Sequence, residues 1–298
     1  MTPINFSKES LSVFFKLIRF RQHVKNLFIF MPLFFSGELG NVELLLNASI
    51  AFFSFSLLAS AVYILNDYKD VDEDREHPRK KNRPIASGRI EKNSAILLMI
   101  VLFLSGVALS FLLTLQSLGL LFAYAALNLA YSFYLKHIAI LDITSIAIGF
   151  VLRVFLGGIS TGIQLSIWMV IMTFLIAFFV ALAKRRDDVL LYLDTGKKMR
   201  KVIDGYNINF IDGAMITTSS VVIVTYILYT VSAEVMQRFH SEYVYFTALF
   251  VILGIIRYLQ ITFVETDSGS PTDIVTKDPF LRSVILLWLL SFVFIIYL

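Results

Sequence analysis

Runs of roughly 20 mainly apolar residues, the length needed to cross a bilayer, recur from Leu27 to Leu298 and dominate what this chain can fold into. Nine such stretches can be read, at about 24–40, 44–66, 94–113, 117–135, 141–160, 165–183, 213–233, 243–262 and 281–298. The first is the shortest and has Pro32 inside it. Strands of an outer-membrane barrel would alternate over about 10 residues, so the pattern predicts an all-α membrane protein, a bundle of nine transmembrane helices in a single domain spanning 1–298. Hydrophobic residues make up 57% of the chain and charged ones 16%, against about 25% charged in average soluble domains. This excludes an ordinary soluble enzyme, a disordered chain and a nucleic-acid-binding domain.

The net charge of +4 is small, but its placement is not even. With the N-terminus in the cytoplasm, 24 of the 26 Lys and Arg residues fall on the cytoplasmic side of the nine spans. The exceptions are Arg153, within a span, and Arg238, outside. The C-terminus is then external, and the inner membrane is the expected location. The opening MTPINFSKES lacks the layout of a cleaved signal peptide, which predicts a retained start. Within residues 1–23, Leu11, Phe14, Phe15 and Ile18 follow an i, i+3, i+4, i+7 pattern beside Lys8, Lys16 and Arg19, as in a helix lying in the membrane interface. Outer connections such as 114–116 and 161–164 are short, whereas 67–93 and 184–212 read as long polar loops. An active site would therefore face the cytoplasm. The chain has no cysteine, and its four histidines are scattered without zinc-type pairing.

The second stretch leaves the membrane through Asn66-Asp67-Tyr68-Lys69-Asp70-Val71-Asp72-Glu73-Asp74-Arg75. On a continuing helix Asn66, Asp67, Asp70 and Asp74 share an arc of about 100°. Magnesium takes hard oxygen ligands, typically one or two carboxylates plus substrate phosphates, so this stripe suits a Mg²⁺–diphosphate site. The plainer reading is a solvated helix end whose acids pair with nearby bases. Next come Arg79-Lys80-Lys81-Asn82-Arg83, between Pro78 and Pro84. Guanidinium forks and ammonium groups bind phosphate oxygens, and the prolines stiffen the segment. A positive-inside loop would account for these bases, but not for the acids beside them.

Asn66-Asp67-x-x-Asp70-x-x-x-Asp74 resembles the first aspartate-rich motif of the UbiA superfamily of intramembrane prenyltransferases. The sharper resemblance is to its decaprenyl-phosphate phosphoribosyltransferase branch. It is carried by Arg19-Phe20-Arg21-Gln22-His23-Val24-Lys25-Asn26, by Asp74-Arg75-x-His77-Pro78 with Arg83-Pro84-Ile85-Ala86-Ser87-Gly88, and by Tyr131-Ser132-Phe133-Tyr134-Leu135-Lys136 followed by Asp142 and Leu152-Arg153. Ala183-Lys184-Arg185-Arg186 and Gly269-Ser270-Pro271-Thr272 with Lys277-Asp278-Pro279 also fit, so the likeness covers essentially the whole chain. His23 stands where the branch usually has Trp, and Asp187-Asp188 where it more often has Ala-Glu.

The resemblance implies an enzyme, a pentosyltransferase moving 5-phosphoribosyl from phosphoribosyl diphosphate to a polyprenyl phosphate. On this reading Asp67, Asp70 and Asp74, with Asn66 assisting, hold Mg²⁺ against the leaving diphosphate. Lys80, Arg83, Lys184 and Arg185 neutralise phosphate oxygens, Lys25, Lys136 and Arg153 orient the acceptor phosphate, and Asn26 and Tyr131 join the binding set. Arg153 lies eleven residues past Asp142, about 16 Å along a helix, where a basic group usually faces a polar cavity or forms a structural ion pair. Lys136 also reads as a positive-inside anchor, and Gly157-Gly158 as permitting close helix packing. Two rivals stand beside this reading. A UbiA-type prenyltransferase acting on an aromatic or other small acceptor should want a second carboxylate motif after span six, where this chain has bases. A transporter of phosphorylated metabolites predicts inverted repeats, and no internal repeat is visible. An oligomer is compatible with all of these.

Overall fold

The computed structural model describes residues 8–76, 80–196, 201–265, 274, 275 and 277–297. Those residues form helices joined by turns and short irregular connections, and they pack as two units. One takes the chain as far as Phe133 together with Leu152–Gln164; the other comprises Tyr134–Val151 and Leu165–Leu298.

In the first unit, α1 (Lys8–Leu17) precedes a 3₁₀ run over Phe20–Phe30 and a five-residue α2 (Met31–Phe35). The stretch expected as one helix over 24–40 is therefore not a continuous α-helix, and Pro32 stands in the first turn of α2, where its missing N–H costs nothing. Leu11, Phe14 and Phe15 of α1 are exposed, as a membrane-facing stripe requires, whereas Leu17 and Ile18 are buried with Ala61, Ile64, Val71 and Ile85. The long α3 (Val42–Lys69) starts at Asn41, whose side-chain oxygen accepts from the Leu44 N–H at 3.4 Å. It ends at Asp70, and α4 (Val71–Glu76) follows at once, anchored by buried Val71. α5 (Lys92–Ser110) makes the unit's most extensive pairing with α3. Gly106 permits it: a Cβ there would stand 2.9 Å from the Ser54 carbonyl oxygen. α6 (Leu115–Phe133) completes the unit with the second half of α7 (Leu141–Thr161).

The second unit contains the first half of α7, α8 (Ile167–Thr195), α9 (Ile208–Thr230), the short α10 (Ala233–Phe239), a 3₁₀ turn at Tyr243–Thr247 leading into α11 (Ala248–Phe263), and α12 (Pro279–Tyr297). α8 does not stop at 183 as expected. It continues to Thr195 and ends at Gly196, whose φ of +68° is the left-handed conformation glycine adopts cheaply. Arg185 and Arg186 are buried with acidic partners, which lets the helix carry bases where a loop was expected.

Among the described residues, seven helices are long and apolar enough to cross a membrane: α3, α5, α7, α8, α9, Tyr243–Phe263 and α12. α6 has the length, but Gln116, Asn128, Tyr124 and Tyr131 dilute it. Several of its polar groups are bonded within the protein: Asn128 donates to the Tyr124 carbonyl at 2.8 Å, and Ser132 donates to the Asn66 side chain. His77, Pro78, Arg79 and Gly269-Ser270-Pro271-Thr272 lie outside the described residues.

Candidate active site

The acidic end of α3 and the basic segment after it converge in the first unit. Asp67 and Asp74 are 2% and 1% exposed, yet both are charged side chains at a helix end. One guanidinium nitrogen joins them: Arg83 Nη1 donates to Asp67 Oδ1 at 2.9 Å and to Asp74 Oδ2 at 2.6 Å. Lys80 Nζ stands 3.8 Å from Asp74 Oδ1, and Arg19 Nη2 donates to Asp67 Oδ1. Burial pushes the Asp74 carboxyl up, with the Arg83 charge opposing it.

Local sequence explains how Arg83 is held. Ile85 and Ala86 bury themselves against Leu17, Ile64 and Val71, and the chain turns at Gly88 with φ +73°. The Ser87 N–H donates to the Arg83 carbonyl at 2.9 Å, and Arg75 Nε donates to the Ala86 carbonyl at 3.3 Å. The Arg-Pro-Ile-Ala-Ser-Gly segment is thus a clip: an apolar foot and a glycine turn present one guanidinium to two carboxylates. Arg19 is held differently. Its backbone is left-handed, φ 52° and ψ 46°, a conformation that costs a non-glycine residue about 1–2 kcal/mol. Its guanidinium carbon lies 4.8 Å from the centre of the Tyr63 ring.

Three bases therefore meet two acids, and the donor set on the acid side is carboxylate oxygen alone. Magnesium is commonly held by one or two carboxylates and completed by substrate phosphates, which is what Asp67 and Asp74 offer. The expected trio does not assemble: among the described residues no three His, Asp or Glu side chains are placed to hold one ion. The reason is the end of α3 at Asp70, which puts Asp67 and Asp74 on different helices and leaves Asp70 half-exposed at the joint. Asn66 accepts from Ser132, whose carbonyl accepts from Lys69 Nζ at 2.6 Å.

A second polar cluster lies deeper in the same unit. Arg153, 4% exposed, donates through Nε to Asn26 Oδ1 at 2.9 Å and through Nη2 to the Tyr124 hydroxyl at 3.4 Å. Its guanidinium carbon lies 4.7 Å from the Phe55 ring centre, and Asn26 Nδ2 donates to Ser56 Oγ at 2.8 Å. Half-buried Lys25 is within electrostatic reach of Arg153 and Arg19. His23 bonds Ser60 Oγ at 2.9 Å.

The second unit holds its own buried network. Arg185, 1% exposed, donates through Nε to Asp142 Oδ2 at 2.5 Å and through Nη1 to Asp188. Tyr206 donates its hydroxyl proton to Asp142 Oδ1 at 2.6 Å; burial and this carboxylate raise the phenol above its ordinary value. Arg186 pairs with Asp212 at 2.7 Å and donates to the Thr262 carbonyl at 2.8 Å.

Residues 27–275 match the model of the UbiA prenyltransferase family. The chain belongs to that family. It is an integral membrane protein and a transferase. It is 31% identical to the decaprenyl-phosphate phosphoribosyltransferase of Corynebacterium glutamicum over 287 residues, 95% of this chain and 86% of that protein. Identity with the same-named protein of Mycobacterium tuberculosis is 32% over 281 residues, 92% and 91% of the two. A UbiA homolog from Archaeoglobus fulgidus, solved with GPP and Mg²⁺ bound, superposes with a TM-score of 0.72 at 19% identity, covering 96% of this chain and all of that one. That likeness shows the fold.

In this UbiA-family chain, Asp67, Asp74, Lys80 and Arg83 come together as expected, and Asn26 with Arg153 forms a group that spacing alone did not join. Tyr131 is half-buried on α6. Lys136 is half-buried in a 3₁₀ turn at Leu135–His137, and Lys184 is exposed on α8. Arg185 differs most from expectation: it is not a surface base but is enclosed with Asp142 and Asp188. Arg19, Tyr124, Ser132, Asp142 and Tyr206 are the partners that sequence reasoning did not place in the site. Arg19, Ser132 and Asp142 carried a signal, through the family motifs; Asp142 and Arg185 are 43 residues apart, beyond any helical spacing rule.

Proposed function

We propose that this chain transfers the 5-phosphoribosyl group of phosphoribosyl diphosphate to a polyprenyl phosphate, using Mg²⁺, at the cytoplasmic face of the inner membrane. The observation that carries the reading is the near-full-length likeness to two decaprenyl-phosphate phosphoribosyltransferases, in a chain whose Arg83 bridges Asp67 and Asp74. When bound, Mg²⁺ would supply charge neutralisation for the leaving diphosphate. Asp67 and Asp74 would hold it, with Asp70 and Asn66 alongside.

In the transfer, the bond from ribose C1 to the diphosphate breaks and one from C1 to a lipid phosphate oxygen forms. Arg83, Lys80 and Arg19 bind diphosphate oxygens when these displace the carboxylates as guanidinium partners. Fixed positive charge of this kind stabilises the departing diphosphate anion without reorganisation, which lets oxocarbenium character develop at ribose C1. Lys25 and Arg153 orient acceptor phosphate, and Lys136 and Lys184 supply further positive charge to phosphate oxygens. No general base is required, because a phosphate monoester with a second pKa of about 6 is already ionised near neutrality.

Nine membrane crossings in one UbiA-like domain, with the N-terminus cytoplasmic, complete the proposal. α6 extends about 28 Å at 1.5 Å per residue, close to the hydrocarbon thickness of about 30 Å, and the stretch 24–40 supplies the remaining crossing.

The test is purified protein with labelled phosphoribosyl diphosphate, a polyprenyl phosphate and Mg²⁺, with label expected in the lipid fraction. No label there, together with transfer from a prenyl diphosphate to an aromatic acid, would replace this reading with its prenyltransferase rival.

A further inference from the structure

Ile140, the residue before α7, has a φ of +71°. A β-branched side chain in the left-handed region is a backbone outlier, and such conformations persist only where the surroundings over-determine them. Here the surroundings are explicit. The Ile140 N–H donates to the Tyr206 hydroxyl at 2.7 Å, and the same hydroxyl donates onward to Asp142 Oδ1 at 2.6 Å. The other oxygen of Asp142 accepts from Arg185 Nε at 2.5 Å, so the carboxylate is fixed from both sides. Next to Tyr206, the Gly205 backbone presses on this connection: a Cβ there would stand 2.6 Å from Ala139 Cβ. The 3₁₀ turn Lys201–Gly205 packs on the 3₁₀ turn Leu135–His137, which carries Lys136.

We propose that Tyr206 is a positioning residue for substrate phosphate binding: it locks Ile140 in its left-handed conformation and thereby fixes where the Leu135–His137 turn presents Lys136. Tyr206 is buried and both of its hydroxyl partners belong to the protein, so it acts through the backbone. The Asp142–Arg185 pair is the anchor of this tether, which gives buried Arg185 a part in the reaction without phosphate contact. The inference rests on the reading of Lys136 as a phosphate ligand.

The experiment compares wild type, Tyr206→Phe and the double variant Tyr206→Phe/Ile140→Gly, each monodisperse in detergent. Two measurements are made, backbone amide exchange of the peptide spanning residues 135–141 and steady-state transfer against the polyprenyl phosphate, the acceptor whose phosphate Lys136 orients. Tyr206→Phe removes the acceptor of the Ile140 N–H, so exchange there should quicken about tenfold. KM should rise about fivefold or more with kcat within about twofold, the pattern of lost binding rather than lost chemistry. Glycine takes positive φ without a tether, so the double variant should recover at least half of the KM change.

A merely structural tyrosine would lower stability without a KM shift that glycine repairs, and either unchanged exchange or an unrescued loss of kcat overturns the proposal. If Tyr206→Phe does not fold, Gly205→Ala displaces the same connection through Ala139 and should raise KM likewise; an unchanged KM there also overturns it. A wild-type enzyme that turns over only a prenyl diphosphate rejects the phosphoribosyl reading alone, and the same KM comparison is then made with the acceptor that enzyme uses.

Discussion

Asp67 is the residue on which the site's electrostatics turn, because its Oδ1 accepts from both Arg19 and Arg83. Asp67→Asn leaves two guanidiniums facing a neutral amide and should cost less than the roughly 3–5 kcal/mol of a fully buried broken pair, since a quarter of each arginine side chain remains in water. A fall in the melting temperature of the detergent-solubilised protein, together with loss of turnover, is the expected outcome. Asp70→Asn makes a sharper comparison. Asp70 is half-exposed and is not one of the two acids that Arg83 bridges, so the variant should stay folded yet lose turnover if its carboxylate completes the metal's ligands. Near-normal activity in Asp70→Asn would remove it from the metal set and leave the work to Asp67 and Asp74. The motif spacing made all three acids visible in the sequence. It could not show that the helix would end between them, because that end is fixed by Val71 burying into a cluster built from distant residues.

At the level of elements, what the sequence displayed and what it hid divide along local and distant interactions. Long apolar periodicity marked α3, α5, α7, α8, α9, α11 and α12. The stretch at 24–40 carried the same apolar mark, but nothing in it showed that Phe20–Phe30 would be a 3₁₀ run, since its path is set by packing on another element: a Cβ on Gly157 would lie 2.0 Å from the Ile29 carbonyl oxygen. The glycine pair's reading as a packing device therefore holds at Gly157, with a partner no pattern named. Gly157→Ala should destabilise by at least the roughly 1–3 kcal/mol of an overpacked core and lower the melting temperature more than Gly106→Ala, whose added methyl would stand 2.9 Å from its nearest neighbour. Equal melting temperatures for the two would contradict this packing. The start of α12 is set by a residue the sequence reading quoted only as part of a motif. Asp278 Oδ1 accepts from the Leu281 N–H at 2.7 Å, and Oδ2 accepts from Arg257 Nη2 at 2.7 Å. The Arg257 bond holds the Asp278 carboxyl below its ordinary value. A depressed carboxylate stabilises the fold above its unfolded pKa of about 4 and loses that contribution as pH falls through the lower folded value. Asp278→Ala should therefore melt below wild type at neutral pH, by an amount near the 1 kcal/mol or so of a lost helix cap. The gap should close in acid, and a gap independent of pH would show that the carboxylate charge plays no part.

At the scale of the whole molecule, the segregation of charge makes the most general claim. Twenty-four of 26 basic residues fall on one side of the nine expected spans, and charge bias of this kind sets orientation through loops close to the membrane. The carboxylate cluster at Asp67 and Asp74 stands in the most basic of those segments, so the orientation of the chain and the face of the reaction are one question. The absence of native cysteine makes it directly answerable, because any introduced thiol is the only one present. Ser87 and Gln164 are both exposed, the first beside the Arg83 clip and the second in the short connection before α8. In spheroplasts, Gln164→Cys should react with a membrane-impermeant maleimide, whereas Ser87→Cys should react only once the membrane is permeabilised. The reverse pattern would place the carboxylates on the outer face, away from any cytoplasmic diphosphate donor, and the proposed reaction would fail with it. Labelling of both thiols in intact spheroplasts would instead mean an even number of crossings between 87 and 164. That outcome would single out α6, the polar-diluted helix, as the element that does not span.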